Sequence, residues 1–156
     1  MIKLVRVDHR LLHGQVAFAW TKNVGADCIL IANDEVAKDD LRMAALRMAA
    51  PSGVKIVIKS IEDSASAILA GKTDKYHLMI ILESIRDAER LTSRVKEIRH
   101  VNLGGVKAEP GKKQISMAVS VSEEECEMLR RMEAEGIAVE IKMVPEDKSQ
   151  NAIDLI

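Results

Sequence analysis

Short aliphatic runs alternate along this chain with stretches whose apolar positions recur every three or four residues. That alternation predicts βαβ units around a mostly parallel sheet. Ile2–Val7 reads as a first strand, and the polar turn Asp8-His9-Arg10 ends it. A helix follows from about His13 to Asn23, with Val16, Ala19, Trp20 and Val24 at helical spacing and Gly25 at the C-cap. Cys28–Ala32 is apolar enough to be a strand buried on both faces. Asp39–Ala50 reads as a helix with Leu41, Ala44, Ala45 and Met48 on one stripe, and Pro51-Ser52-Gly53 stops it. The rhythm continues with a strand at Val54–Ile58, a helix at Ile61–Leu69 and a strand at Leu78–Leu82. Next come a helix at Arg86–Ile98, with Leu91, Val95 and Ile98 inward, and a short strand, Val101–Leu103, running into Gly104-Gly105. Val106–Lys113, with Pro110-Gly111, reads as a loop.

The last third changes period. Ile115, Met117, Val119 and Val121 alternate with small or polar residues, as in a strand with one less-buried face. Ser122 and Glu125 form a capping box for a helix at Glu123–Glu135, which Gly136 ends. Ile137, Val139, Ile141 and Met143 alternate with Glu140 and Lys142, which places a charged strand at or near a sheet edge. The Met43, Met48, Met128 and Met132 side chains lie on helix stripes and read as core filling. With no repeat and no linker, the expected fold is α/β: one domain over residues 1–156, an open, twisted, mainly parallel sheet flanked by helices.

Composition narrows the function. A chain of 156 residues is one domain's worth, and 47% apolar with 30% charged residues gives a core and a hydrated surface rather than disorder. Lys and Arg number 23 against 24 Asp and Glu, so nothing draws the chain to nucleic acid or anionic lipid in bulk. One Trp, one Tyr and one Phe leave no platform for stacking bases. Cys28 and Cys126 sit in apolar patterns and read as buried thiols. No apolar run approaches the ~20 residues of a membrane span, and the charged start Met1-Ile2-Lys3-Leu4-Val5-Arg6 is unlike a secretion signal. A cytoplasmic domain is expected.

Ligands of open α/β sheets bind beyond the carboxyl ends of strands. The candidate residues there are Asp8, His9, Arg10, His13, Gly14 and Gln15 after the first strand and Asn33 and Asp34 after the second. Glu83, Ser84 and Arg86 follow the fourth strand, and Gly104 and Gly105 the fifth. The first loop is densest, and it leads into a helix whose N-terminal N–H groups and dipole suit an anion such as phosphate. Arg10 can fork onto phosphoryl oxygens, His13 can be a nucleophile, and Asp8 can fix the His13 tautomer. Gly14 lets a ligand or partner approach the backbone. The plainer readings are a solvated loop histidine, a turn residue at His9, and strand-flanking histidines at His77 and His100. No histidine spacing suits zinc, and no Walker loop, dinucleotide fingerprint or nucleophile elbow is present.

The segment Val5-Arg6-Val7-Asp8-His9-Arg10-Leu11-Leu12-His13-Gly14-Gln15-Val16 closely resembles the N-terminal signature of EIIB components of the bacterial sugar phosphotransferase system, mannose/fructose/sorbose class. The resemblance continues through Trp20, Asn33-Asp34, Ala50-Pro51, Asn102-Leu103-Gly104-Gly105 and Ile115–Val121. Many members carry an acidic residue where this chain has His9. The resemblance implies an open, mainly parallel α/β fold and a protein-N(pi)-phosphohistidine–sugar phosphotransferase subunit. His13 would take a phosphoryl group from an EIIA phosphohistidine and pass it to a hexose or hexosamine at the membrane components EIIC and EIID. Arg10 and Asp8 would assist, with Gly14, Gln15, Arg6, Asn33, Asp34, Gly104 and Gly105 as supporting positions and no cofactor or metal. The protein would be cytoplasmic and peripherally associated with the transporter. The residues alone also allow a non-covalent small-molecule binder built on Asp8, Arg10 and Asn33, or a regulatory interaction domain that uses the loop to dock a partner.

Overall fold

The computed structural model describes residues 1–156. Its strands are β1 (Ile2–Asp8), β2 (Cys28–Ala32), β3 (Lys55–Lys59), β4 (Leu78–Leu82), β5 (His100–Gly105), β6 (Lys113–Ser116), β7 (Val119–Val121), β8 (Ala138–Ile141) and β9 (Gln150–Asn151). Its α-helices are α1 (Gly14–Val24), α2 (Asp40–Met48), α3 (Ile61–Leu69), α4 (Ile85–Arg94) and α5 (Glu123–Ala134). Seven strands form one sheet in the order β3-β2-β4-β1-β5-β8-β9, parallel except for the β8–β9 pair.

Alternation along the central strands divides the core into two layers. Val5 and Val7 of β1, Leu30 of β2 and Leu78, Ile80 and Leu82 of β4 join a cluster that α3, α4 and α5 cover. Leu4, Ile29, Ile31, Met79 and Ile81 point to the other face, where α1 supplies Ala17 and Trp20. The β1–α1 connection thus leads to one face while the β4–α4 connection leads to the other, although β1 and β4 are neighbours. A crevice opens at the carboxyl ends of such strands, and the loop after β1 occupies it.

Several expectations need correction. In α2 no residue is fully buried, and Leu41 and Met48 are 82% and 88% exposed. The half-buried Met43 and Leu46 make the core contacts instead, so the apolar stripe of Leu41, Ala44, Ala45 and Met48 faces solvent. Met48 is therefore not core filling, whereas Met128 and Met132 are. The single strand expected from Ile115 to Val121 is a separate antiparallel ribbon of β6 and β7 that reverses at Met117-Ala118, leaving Met117 at the exposed tip. Beyond β8 a two-residue strand, β9, holds the sheet edge. The capping box of α5 is present: Ser122 Oγ accepts from Glu125 N–H, and Glu125 Oε1 accepts from Ser122 N–H. Cys28 and Cys126 are free buried thiols, each pushed up by desolvation. No helix is long and apolar enough to cross a membrane.

Candidate functional site

The site is built outward from a buried cation. Arg6 of β1 is 2% exposed. Its Nη1 donates to Asn102 Oδ1 at 2.6 Å and to the Lys142 carbonyl at 3.0 Å. Its Nη2 donates to Asp8 Oδ2 at 3.3 Å and to the Met143 carbonyl at 3.0 Å. The guanidinium lies 5.1 Å from the centre of the Trp20 ring, and Trp20 Nε1 donates to the same Met143 carbonyl at 2.9 Å. Burial presses the Arg6 pKa down and Asp8 presses it back up. The guanidinium stays charged. Gly104 is required here, because a Cβ would collide with the Arg6 guanidinium.

Asp8, fully buried, is the next layer. Its Oδ1 accepts from the Arg10 backbone N–H at 3.0 Å and from Arg10 Nε at 3.3 Å. Its Oδ2 accepts from Arg6, with Arg10 Nη2 at 3.5 Å. The carboxylate therefore anchors Arg10, whose side chain stays 46% exposed. Both carboxylate oxygens go to the arginines, and no hydrogen bond joins Asp8 to His13. Asp8 thus does not hold the His13 tautomer, because two guanidinium groups lie closer and bind a carboxylate more strongly than a neutral imidazole would.

The loop then turns inward. Leu11 N–H donates to the Asp8 carbonyl at 2.8 Å, and Leu11 has φ 60°, a left-handed conformation in a residue other than glycine. Such a residue costs about 1–3 kcal/mol. Burying Leu11 and Leu12, each 4% exposed, offsets it at roughly 1.5–3 kcal/mol per side chain. These two leucines pin the loop and leave His13 half-exposed as the N-cap of α1. The imidazole makes no capping bond, and no acidic residue lies in the first turn of α1, so the positive end of that helix is unopposed. Partial burial lowers the His13 pKa first; Arg10, Arg6 and His9 lower it further and Asp8 opposes them. His13 is a neutral imidazole near neutral pH, with a free lone pair.

Gly14 and Gln15 are exposed at the start of α1. Gly105 packs against the loop: its carbonyl accepts from His9 N–H at 3.0 Å. Asn33 and Asp34 are not drawn in. Asn33 Oδ1 accepts from Val36 N–H at 2.9 Å. Asp34 accepts from Ile61 N–H at 2.9 Å and from Arg90 at 2.8 Å, and these bonds hold its carboxyl below the usual range. Sequence reasoning missed Asn102, Trp20 and the Lys142 and Met143 carbonyls as supports for Arg6. One signal was available: Asn102 is an amide inside an otherwise apolar strand. A cleft of about 590 Å³ between α4 and α5 shares no residue with this loop. No group of three or more His, Cys, Asp and Glu side chains is arranged to hold a metal ion.

The architecture is that of an open α/β protein with an anion-ready loop at the carboxyl edge of its central strand. Comparison with known proteins refines this class. The chain matches the phosphotransferase-system sorbose-subfamily IIB components over residues 2–156, and it belongs to that family. It is 32% identical to the sorbose-specific EIIB component of Klebsiella pneumoniae, covering 99% of this chain and 94% of that one. The crystal structure of the IIBSor domain from that organism superposes with a TM-score of 0.93 over 99% of this chain and 94% of that chain. The N-acetylgalactosamine-specific IIB component 1 of Escherichia coli gives 0.91 at 31% identity, over 97% of this chain and 99% of that one. The mannose-specific EIIAB component of Escherichia coli is 37% identical over all of this chain, which spans 48% of that protein's length.

Proposed function

We propose that this protein is the phosphoryl carrier of a sugar phosphotransferase system. His13 accepts a phosphoryl group from a phosphohistidine of an EIIA partner and passes it to a sugar presented by membrane-embedded EIIC and EIID components. It works at the cytoplasmic face of that transporter. The observation that carries this reading is the state of His13: an accessible, unbonded, neutral imidazole at a helix N-terminus, beside a guanidinium that a buried carboxylate holds in place.

In the first half-reaction the His13 lone pair attacks phosphorus. The donor's P–N bond breaks, and its electron pair returns to the donor imidazole. In the second half-reaction a sugar hydroxyl attacks, loses its proton to solvent or a transporter group, and returns the lone pair to His13. Phosphoryl transfer asks mainly for alignment and charge balance around the equatorial oxygens. Arg10 and the first-turn N–H groups at Gly14, Gln15 and Val16 supply those donors. Arg6, Gly104 and Gly105 support the cradle from below. Asn33 and Asp34, committed elsewhere, shape the neighbouring loop.

The test is incubation with a phosphorylated EIIA donor. Wild-type protein is expected to gain acid-labile phosphate, and His13→Ala none. Uptake by His13→Ala would overturn the assignment.

A further inference from the structure

Helix α2 turns an apolar row away from the body of the protein. Met43 and Leu46 pack against the core, while Leu41, Ala44, Ala45 and Met48 are all exposed, Leu41 by 82% and Met48 by 88%. Their spacing of three and four residues sets them along one side of the helix, the pattern of a helix that packs against another helix. Single exposed apolar side chains are ordinary, but this row is continuous and bordered by charge, the form a contact surface takes. The border carries Asp40 in the first turn and Arg47 in the last. Both are exposed, and neither forms a salt bridge within the chain, whereas Arg42 between them pairs with Glu83 at 3.8 Å. Asp40 and Arg47 stand seven residues apart on the same border, about 10 Å along the axis, so one helix cannot join them to each other.

We infer that the α2 row is a self-association surface, and that its occupant is the α2 row of a second copy of this chain, packed antiparallel about a two-fold axis. Charge complementarity selects this occupant. In the antiparallel arrangement each Asp40 comes opposite Arg47 of the second copy, so one symmetric contact satisfies both unpaired charges twice. A parallel pair brings like ends together and leaves both charges unmatched. The helix dipole acts in the same direction. Asp40 suits the positive end of its own helix and Arg47 the negative end, and antiparallel packing sets each end against its opposite. Ala44 and Ala45, in the middle, let the two backbones approach closely, and Leu41 and Met48 close the contact at its ends. The helix has nine residues and is about 13 Å long, so the contact falls well below the roughly 1,200 Å² of a standard stable interface. The dimer is therefore weak and forms only at high local concentration; in dilute solution the chain is monomeric. The ion pairs fix the orientation more than the affinity. None of this depends on the role of His13.

The experiment is sedimentation equilibrium of the full chain at low salt, from dilute solution up to about 1 mM, the weak end of the affinity scale. The apparent mass of wild type is expected to rise from the monomer toward the dimer between about 0.1 and 1 mM. Asp40→Arg sets arginine against arginine, and Arg47→Asp sets aspartate against aspartate, so each alone is expected to weaken association about five- to thirtyfold. The double variant Asp40→Arg/Arg47→Asp keeps the net charge and restores opposite pairs, and it is expected to associate like wild type. An equimolar mixture of the two single variants also restores both pairs; its association shows that each single variant is folded. Met48→Glu, which puts a charge into the apolar row, is expected to abolish association in every combination. A wild-type mass that stays at the monomer up to 1 mM would overturn the inference, as would single variants that associate as well as wild type. A monomeric wild type whose binding to membranes containing EIIC and EIID is weakened by Met48→Glu would overturn it too, by giving the row to the transporter.

Discussion

Arg6 shows how much of the candidate site's surface is decided beneath it. Its guanidinium joins β1 to Asn102 on β5 and to the chain after β8, contacts separated by 96 and more than 130 residues in sequence. It also neutralises Asp8, and Asp8 in turn aims Arg10. Replacing Arg6 by Met keeps much of the volume but leaves a buried carboxylate short of its permanent cation. The expected loss is about 3–5 kcal/mol of unfolding free energy, the usual penalty for breaking a buried ion pair. Urea denaturation checks it; a loss below about 1 kcal/mol, typical of surface pairs, would mean that Asp8 is solvated rather than held. The sequence displays Arg6, Asp8, Arg10 and His13 together, so the candidate loop is legible. The division of labour is not, because nothing local tells a guanidinium that meets a ligand from one that stacks on Trp20. The same limit explains the misplaced Asp8–His13 bond: spacing permits it, and the competition from two arginines appears only in three dimensions.

At the scale of elements, α2 is the instructive case. Its apolar residues recur at helical spacing on more than one stripe, so periodicity identifies the helix without choosing the face. Met43 and Leu46 reach the core, while Leu41 and Met48 do not. Met43→Ala and Leu46→Ala are expected to lower stability by about 1 kcal/mol or more each, and Leu41→Ala and Met48→Ala to stay within about 0.5 kcal/mol. Thermal or urea midpoints of the four variants decide it, and an equal loss across all four would contradict the observed orientation. The buried strands β2 and β4 were fully readable, because a five-residue aliphatic run bounded by polar residues has few other uses in an α/β chain. The β6–β7 ribbon was hidden because its turn at Met117-Ala118 carries neither glycine nor proline, the residues that usually mark a reversal. Strand β9 is only two residues long and shows no period at all.

For the whole molecule, the lowered His13 pKa links chemistry to stability. The folded state binds fewer protons at this residue than the unfolded chain, whose histidine titrates near 6.5. Stability from this source is therefore constant at higher pH and falls as pH drops through about 6.5 toward the lower folded-state value. His13→Gln removes that dependence, so the variant should gain stability relative to wild type between about pH 7.5 and pH 5.5. Urea midpoints of the two proteins at both pH values check it, and a constant difference would show that His13 titrates normally. The same shift keeps the imidazole unprotonated further into the acid range than a free histidine. One measurement reaches the centre of the whole scheme: intact mass of the protein after exposure to phosphorylated EIIA, followed by a chase with sugar and membranes containing EIIC and EIID. The expected result is a gain of about 80 Da, one phosphoryl group, on a peptide containing His13, then its loss as sugar phosphate appears. A protein that supports sugar phosphorylation without ever gaining that mass, or that carries it on another residue, would contradict the carrier role of His13.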